Sequence, residues 1–215
     1  LVVDLDNTLW GGVIGDDGVS QIELGPDSVN GRIFSDIQSY LLMLRSRGVI
    51  LAISSKNDIA LASEGFSHKH SVLSLDDFAA AAVNWEAKSL NIQKICEKLN
   101  VGLDSLVFID DNIREREEVR SCLPEILVPS CGENPVDFLS VLEFLDPFDI
   151  TAKLTKEDLL RADSYSTKKE WDIEKLRSQS PAKFLKNSEI KVNVFQPKEE
   201  HKDRLLQLTN KTNQF

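Results

Sequence analysis

The sequence predicts an α/β fold, a Rossmann-like parallel sheet with helices on both faces. Short apolar runs alternate along the chain with segments whose apolar residues recur at helical spacing. The runs are apolar on both faces, as buried parallel strands are. Three of them stop abruptly in polar residues: Asp4-Leu5-Asp6-Asn7-Thr8, Ser54-Ser55-Lys56-Asn57-Asp58 and Asp110-Asp111-Asn112. Right-handed crossovers put the carboxyl ends of parallel strands on one rim, where open α/β sheets place ligands.

The first strand is Val2-Val3, leading into Asp4 and Asp6. Four glycines between residues 11 and 18, with Asp17-Gly18 at the tip, read as a tight hairpin flap. Trp10 either walls the entrance beneath this flap or packs under it as core. A helix is expected over residues 33–47, with Ile33, Ile37, Tyr40, Leu41 and Leu44 on one stripe and Gly48 as its stop. Residues 49–53 are the second strand. Asp58 caps a helix that Gly65 ends. Residues 71–75 read as a third strand, and 78–83 take no firm assignment. A helix opening near Asn84-Trp85-Glu86-Ala87-Lys88 carries Leu90, Ile92, Ile95, Cys96 and Leu99. Residues 105–109 are the fourth strand, followed by a charge-rich helix, a proline-flanked edge strand over 123–129 and a helix over 135–145 capped by Asn134. Beyond residue 150 the chain turns polar: a helix over 155–176, a break near Pro181, an alternating strand over 189–195 and a helix over 198–208. The expected organisation is a domain over 1–149, linker helices over 150–187 and the beginning of a second α+β domain over 188–215.

The 215 residues, 41% hydrophobic and 28% charged, describe an ordinary globular chain. No apolar run has the length of a membrane span. A net charge of −10 argues against nucleic acid as a partner, because phosphate-backbone binding needs a basic face. Three unevenly spaced cysteines make neither a disulfide framework nor a zinc site, which fits a reducing, cytoplasmic setting.

Asp4 and Asp6, two residues apart in extended chain, point to one side, and two close carboxylates need a cation or a shared proton. Alone, the stretch is equally well explained as an Asx-rich turn closing a strand. Ser54 and Ser55, Lys88 and the Asp110-Asp111 pair decide the matter. A lysine in the first turn of a helix opposes the helix dipole, which a nearby anion would explain. Carboxylates from two strands, a hydroxyl from a third and a lysine on one rim form a constellation for metal-assisted phosphoryl chemistry.

These four elements, in this order, resemble the haloacid dehalogenase (HAD) superfamily of phosphatases and phosphotransferases. Asp4-Leu5-Asp6-Asn7-Thr8-Leu9-Trp10-Gly11-Gly12, Ser55-Lys56-Asn57, Asn84-Trp85-Glu86-Ala87-Lys88, Phe108-Ile109-Asp110-Asp111-Asn112 and the ending Thr209-Asn210-Lys211-Thr212-Asn213-Gln214-Phe215 resemble its subfamily IIIC, the FkbH-like branch. The branch usually has a Pro-Phe pair where this chain has Ile113-Arg114. The resemblance implies Asp4 as nucleophile, Asp6 as acid/base, and Mg²⁺ held by Asp4, the main-chain carbonyl of Asp6, and Asp111. It implies Ser55 and Lys88 on the phosphoryl oxygens, with Ser54 the neighbouring alternative to Ser55. Thr8, Asp110, Asn57 and Trp10 would be supports. The spacings from Thr8 to Ser55 and from Ser55 to Lys88 leave no room for a lid domain, so the core is expected to be capless with a small flap.

The branch further implies a small phosphorylated substrate, with 1,3-bisphosphoglycerate as the candidate, glyceryl or acyl transfer to an acyl carrier protein, and an acyltransferase-like second domain. Two other readings stand beside it: a simple phosphatase in polysaccharide or secondary metabolism, and a catalytically idle carrier-docking module. Carrier docking would call for a basic patch, for which Arg114, Arg116 and Arg120 are the candidates unless they pair with Glu115, Glu117 and Glu118. Cys96 lies on an apolar stripe, and Cys122 and Cys131 have no activating base in sequence.

Overall fold

In the computed structural model of the chain, the described residues are 1–132, 134–145, 148, 159–160, 164–165, 167, 171, 191–194 and 196–211. The chain divides into two compact units, Leu1–Trp171 and Asp172–Phe215.

The first unit is built on a four-stranded parallel sheet of β1 (Val2–Val3), β2 (Ala52–Ser55), β3 (Ala80–Val83) and β4 (Phe108–Ile109), in the order β3-β2-β1-β4. A single parallel bridge from Val107 to Leu127 extends it at the β4 edge, where a proline-flanked segment tolerates partial pairing. Val3 lies beside Ile53 and Ile109, so the next residues, Asp4, Ser54 and Asp110, stand in one row across the sheet end.

Strand alternation divides the core in two. Val3, Leu5, Ile53 and Ile109 face a cluster with Phe34, Ile37, Leu41 and Leu44 of α2 (Val29–Ser46), Ala62 of α3 (Ile59–Phe66) and Phe138 and Leu142 of α6 (Pro135–Glu143). Val2, Ala52, Ala80 and Phe108 face Ile92, Ile95, Cys96 and Leu99 of α4 (Lys88–Leu99) and Val119 of α5 (Ile113–Cys122). Side-chain caps set the helix starts. Ser28 accepts from Gly31 N, Asp58 from Ala60 N, Asn112 from Arg114 N and Asn134 from Val136 N, ahead of Pro135 in the first turn. Helix α4 has no side-chain cap; it begins at Lys88 itself.

Several expectations are corrected. Residues 71–74 form no strand: Gln38 Oε1 accepts from Val72 N at 2.8 Å and Leu73 N at 3.1 Å, so a side chain takes the place of a ladder. The third strand is Ala80–Val83, whose alanines give it the helix-like composition that left it unassigned. The flap is not a two-residue hairpin. One antiparallel bridge joins Gly11 and Glu23, and between them Ile14–Asp17 wind into the one-turn helix α1. Buried Ile14 and a 2.8 Å bond from Val13 N to Asp17 Oδ2 hold that turn. Gly65 lies inside α3, where its missing Cβ admits Trp10: a Cβ would sit 2.7 Å from the Trp10 ring.

In the second unit, the residues expected in an alternating strand that are described, 191–194, are exposed and in no strand. Val192 and Val194 meet no partner strand among the described residues, and an unpaired strand leaves its ladder groups to water. The helix expected over 198–208 is a 3₁₀ turn, Glu199–His201, followed by α7 (Lys202–Lys211). The helix over 155–176, the break near 181 and the last four residues of the terminal motif fall largely or wholly outside the described residues. No helix among the described residues is long and apolar enough to cross a membrane.

Candidate active site

The row formed by Asp4, Ser54 and Asp110 lies at the carboxyl rim of the sheet. The Asp4 amide continues the β1–β4 ladder to Ile109 O at 3.0 Å, placing its side chain just past the last paired residue. Asp4 is 6% exposed, Asp110 fully buried and Lys88 2% exposed. Lys88 Nζ lies 2.6 Å from Asp4 Oδ1 and also donates to Asp110 Oδ2. Its ammonium lies 5.8 Å from the Phe108 ring centroid, an apolar floor that keeps water away. Burial acts most strongly on Lys88 and favours its neutral form. The attraction and hydrogen bonds of Asp4 and Asp110 outweigh burial, and the net direction is up: a charged lysine. Burial, then the charge of Asp4, pushes Asp110 up to about 7 despite Lys88, and the same two causes push Asp111 up to about 6.

Asp4, Asp110 and Asp111 each offer a carboxylate oxygen, and these atoms lie within 4.8 Å of one another. A set of convergent carboxylate oxygens, with Asp110 and Asp111 pushed up first by burial and then by the charge of Asp4, suits a hard divalent cation. Asp110, expected as a support, is thus the third carboxylate of this group, while the Asp6 carboxylate belongs to a different one. Asp6 Oδ1 accepts from Trp10 Nε1 at 2.8 Å and Ile14 N at 3.1 Å, and Oδ2 accepts from Asn57 Nδ2 at 2.9 Å. Burial raises the Asp6 pKa in spite of these bonds. Trp10, fully buried and edge-on to Phe66, packs beneath the flap and does not wall the entrance.

Ser54 and Ser55 are both buried, and neither hydroxyl makes a hydrogen bond among the described residues; Ser54 Oγ is wholly enclosed. By alternation Ser54 stands on the α4 side of β2 with Lys88, and Ser55 on the other side. Thr8 is buried with its Oγ1 unpartnered. The structure therefore brings Asp4, Lys88, Asp110 and Asp111 into contact and gathers Asp6, Trp10 and Asn57 beside them. Thr8, Ser54 and Ser55 are enclosed without a hydrogen bond to either group.

Two contributors were invisible in the sequence. Arg116, 5% exposed, donates through one Nη to Asp110 O at 2.6 Å and Asp111 O at 2.7 Å, holding the main chain under the carboxylate pair. Its partners are carbonyls, which no sequence pattern displays; only its place one and a half turns after the pair gave a signal. Gln38, wholly buried, donates to Leu9 O at 2.9 Å and accepts from residues 72 and 73, bracing the loop behind Asp6. The basic patch expected from Arg114, Arg116 and Arg120 does not form. Arg116 is buried, and Arg120 bonds Glu117, Val128 O and Ser130. Lys56 takes Glu115 and Ser89 takes Glu118, so the helix is charge-rich for local bonding.

A cleft of about 490 Å³ opens beside Asp111. Asn7, Gly11, Gly12, Glu23, Asn30, Phe34, Asn112, Ile113 and Pro135 form the rest of its lining. Between Thr8 and Ser55 the chain holds only the flap with its one-turn α1, α2 and β2, and between Ser55 and Lys88 only α3, a 3₁₀ turn and β3. No lid domain stands over the rim.

One similar solved structure is the N-terminal part of the protein BF1531 from Bacteroides fragilis, which contains a phosphatase domain and is complexed with Mg. The two are 41% identical, with a TM-score of 0.66, over 72% of this chain and 40% of that one. The chain has the fold of that phosphatase-containing part. It spans 40% of the length of that structure. No family model and no curated protein matches the chain.

Proposed function

We propose that the chain is a Mg²⁺-dependent phosphatase-type enzyme of the haloacid dehalogenase superfamily that works through an aspartyl-phosphate on Asp4. The observation that carries this reading is the buried contact of Lys88 with Asp4 and Asp110, next to a third carboxylate, Asp111. A buried cation shared by two carboxylates is costly as a structural device, and active sites are where such arrangements concentrate. The Mg-bound state of a 41% identical phosphatase-containing structure supports the metal.

Asp4, Asp110 and Asp111, with the main-chain carbonyl of Asp6, would hold Mg²⁺, which when bound neutralises charge on the phosphoryl oxygens. A carboxylate oxygen of Asp4 forms a bond to phosphorus as the bond from phosphorus to the leaving oxygen breaks. Asp6 gives its proton to that oxygen, and burial favours the protonated form this requires. In the second half, Asp6 takes a proton from water as the water oxygen attacks phosphorus, releasing phosphate and restoring Asp4. Lys88 holds Asp4 in place and offsets the charge of the phosphoryl group. Ser54 or Ser55 supplies a hydroxyl to it. Asn57 and Trp10 aim Asp6.

The test is release of phosphate from an aryl phosphate with and without Mg²⁺. Replacing Asp4 by Asn should lower kcat by about a thousandfold or more, as loss of a nucleophile does, with the thermal transition preserved. Retained turnover in Asp4→Asn refutes the assignment.

A finer reading follows from the FkbH-type resemblance: removal of phosphate from a phosphoglyceryl substrate such as 1,3-bisphosphoglycerate, with the acyl unit passed to an acyl carrier protein. Its support in the structure is an open rim on which Trp85 and Ile113 are 76% and 60% exposed, as a substrate presented by another macromolecule would need. A glyceryl adduct on a carrier protein, detected by mass spectrometry with the full-length enzyme, would bear it out; phosphate release without an adduct leaves the simple phosphatase.

A further inference from the structure

The cleft beside Asp111 has a chemistry of its own. Glu23 Oε2 accepts from Ser28 Oγ at 3.0 Å, and Oε1 makes no hydrogen bond among the described residues. Asn7 and Asn112 spend their side-chain oxygens on Gly12 N and Arg114 N, leaving both Nδ2 groups as unused donors. Asn30 is exposed and adds a further amide. Phe34, Ile113 and Pro135 are the apolar side chains of the lining, and Gly11 and Gly12 add main chain to it. Neither glycine accepts a side chain. A Cβ on Gly11 would meet Phe34 at 2.8 Å, and Gly12 has φ +94°. No lysine, arginine or histidine lines the cleft.

From these we infer that the part of the substrate beyond its phosphoryl group is uncharged and hydroxyl-bearing, and that the cleft discriminates against a second anionic group. The inference rests on the phosphatase reading above, and it parts from the bisphosphoglycerate one. Amide donors and a carboxylate acceptor satisfy hydroxyl groups in both directions, while apolar side chains take the C–H face of a polyol. A second phosphate or a carboxylate in this cleft would face the exposed Glu23 carboxylate, with no cation in the lining to offset the repulsion. Lys88 and Arg116 are buried, bonded to the carboxylate group and its main chain, and neither lines the cleft. Discrimination therefore comes from an unfavourable contact, with Glu23 as its principal residue.

The experiment uses two esters that differ in one group. Glycerol 1-phosphate ends in an alcohol; 3-phosphoglycerate has a carboxylate on the same three-carbon skeleton. With the full chain and Mg²⁺, kcat/KM should be about fivefold higher for the alcohol, as expected when like charges meet at about 4 Å beside an exposed carboxylate, and the difference should lie in KM. Glu23→Gln should narrow the gap by lowering KM for 3-phosphoglycerate and not that for glycerol 1-phosphate. Equal or reversed preference, or a gap unmoved by Glu23→Gln, overturns the inference. If an aryl phosphate is not turned over either, the phosphatase reading fails; whether or not the two esters turn over, calorimetric affinities of the same pair decide the cleft: tighter binding of the alcohol supports the inference, equal or tighter binding of the carboxylate sinks it.

Discussion

Replacing Lys88 by Met tests the centre of the site directly. At the 2.6 Å separation from Asp4, attraction at an effective dielectric near 20 amounts to about 6 kcal/mol. Most of that is offset by the cost of stripping water from ions at 2–6% exposure. Deleting the lysine leaves two buried carboxylates without their cation, and removing one partner of such a pair costs about 3–5 kcal/mol. For a unit of this size each kcal/mol moves the midpoint by about 2–4 °C, so a fall of about 10–15 °C is expected in a calorimetric melt without Mg²⁺. The double variant Lys88→Met/Asp110→Asn removes one of the stranded charges and should recover a third or more of the loss. A Lys88→Met melt within a few degrees of the parent would refute the picture of a desolvated, shared cation. A double variant no better than the single would show that lost packing, not unpaired charge, causes the defect.

Three further outcomes follow from the same geometry. Arg116→Ala should weaken Mg²⁺ binding by about tenfold in a calorimetric titration, because the Asp110–Asp111 main chain loses both guanidinium contacts worth about 1 kcal/mol or more; unchanged affinity would show the clamp to be incidental. Of the two serines, the one that contacts phosphate should raise KM for an aryl phosphate several-fold when changed to Ala, and alternation favours Ser54. A change confined to Ser55→Ala would show that the strand end twists away from its register. Iodoacetamide at pH 8 should label exposed Cys122 and spare Cys131, whose thiol burial pushes up to about 11, since the thiolate is the reacting form. Peptide mass mapping reads the pattern, and rapid labelling of Cys131 would contradict its burial.

Local patterns sufficed where a signal sits within a few residues. Caps at Asp58 and Asn134, the apolar stripe of α2 and the polar ends of β1, β2 and β4 all appear as expected, because capping and periodicity act over one or two turns. Residues 71–74 and 80–83 do not, because both assignments turn on distant partners. The side chain of Gln38 supplies the bonds a third strand would have made, and β2 recruits the alanines into the sheet. At the site, the sequence displayed Asp4, Asp6, Lys88 and the Asp110–Asp111 pair as candidates. It could not divide Asp6 from Asp110, since the division depends on where each carboxylate finds donors. Asp6 finds Trp10, Ile14 and Asn57; Asp110 finds Lys88 and the amide of Asn112.

By itself, then, the amino-acid order determined a parallel α/β core and a set of polar groups at its strand ends, both consequences of short-range geometry repeated along the chain. Tertiary structure alone decided how those groups are shared. Lys88 meets Asp4 and Asp110 across 84 and 22 positions, and Asn57 meets Asp6 across 51. It also decided that Arg116 turns inward to carbonyls, not outward to a partner, and that the cleft beside Asp111 lacks a cation. The physical reason is common to all of these: a charge or a hydrogen-bond donor is defined by what surrounds it, and the surroundings are assembled only when the sheet closes.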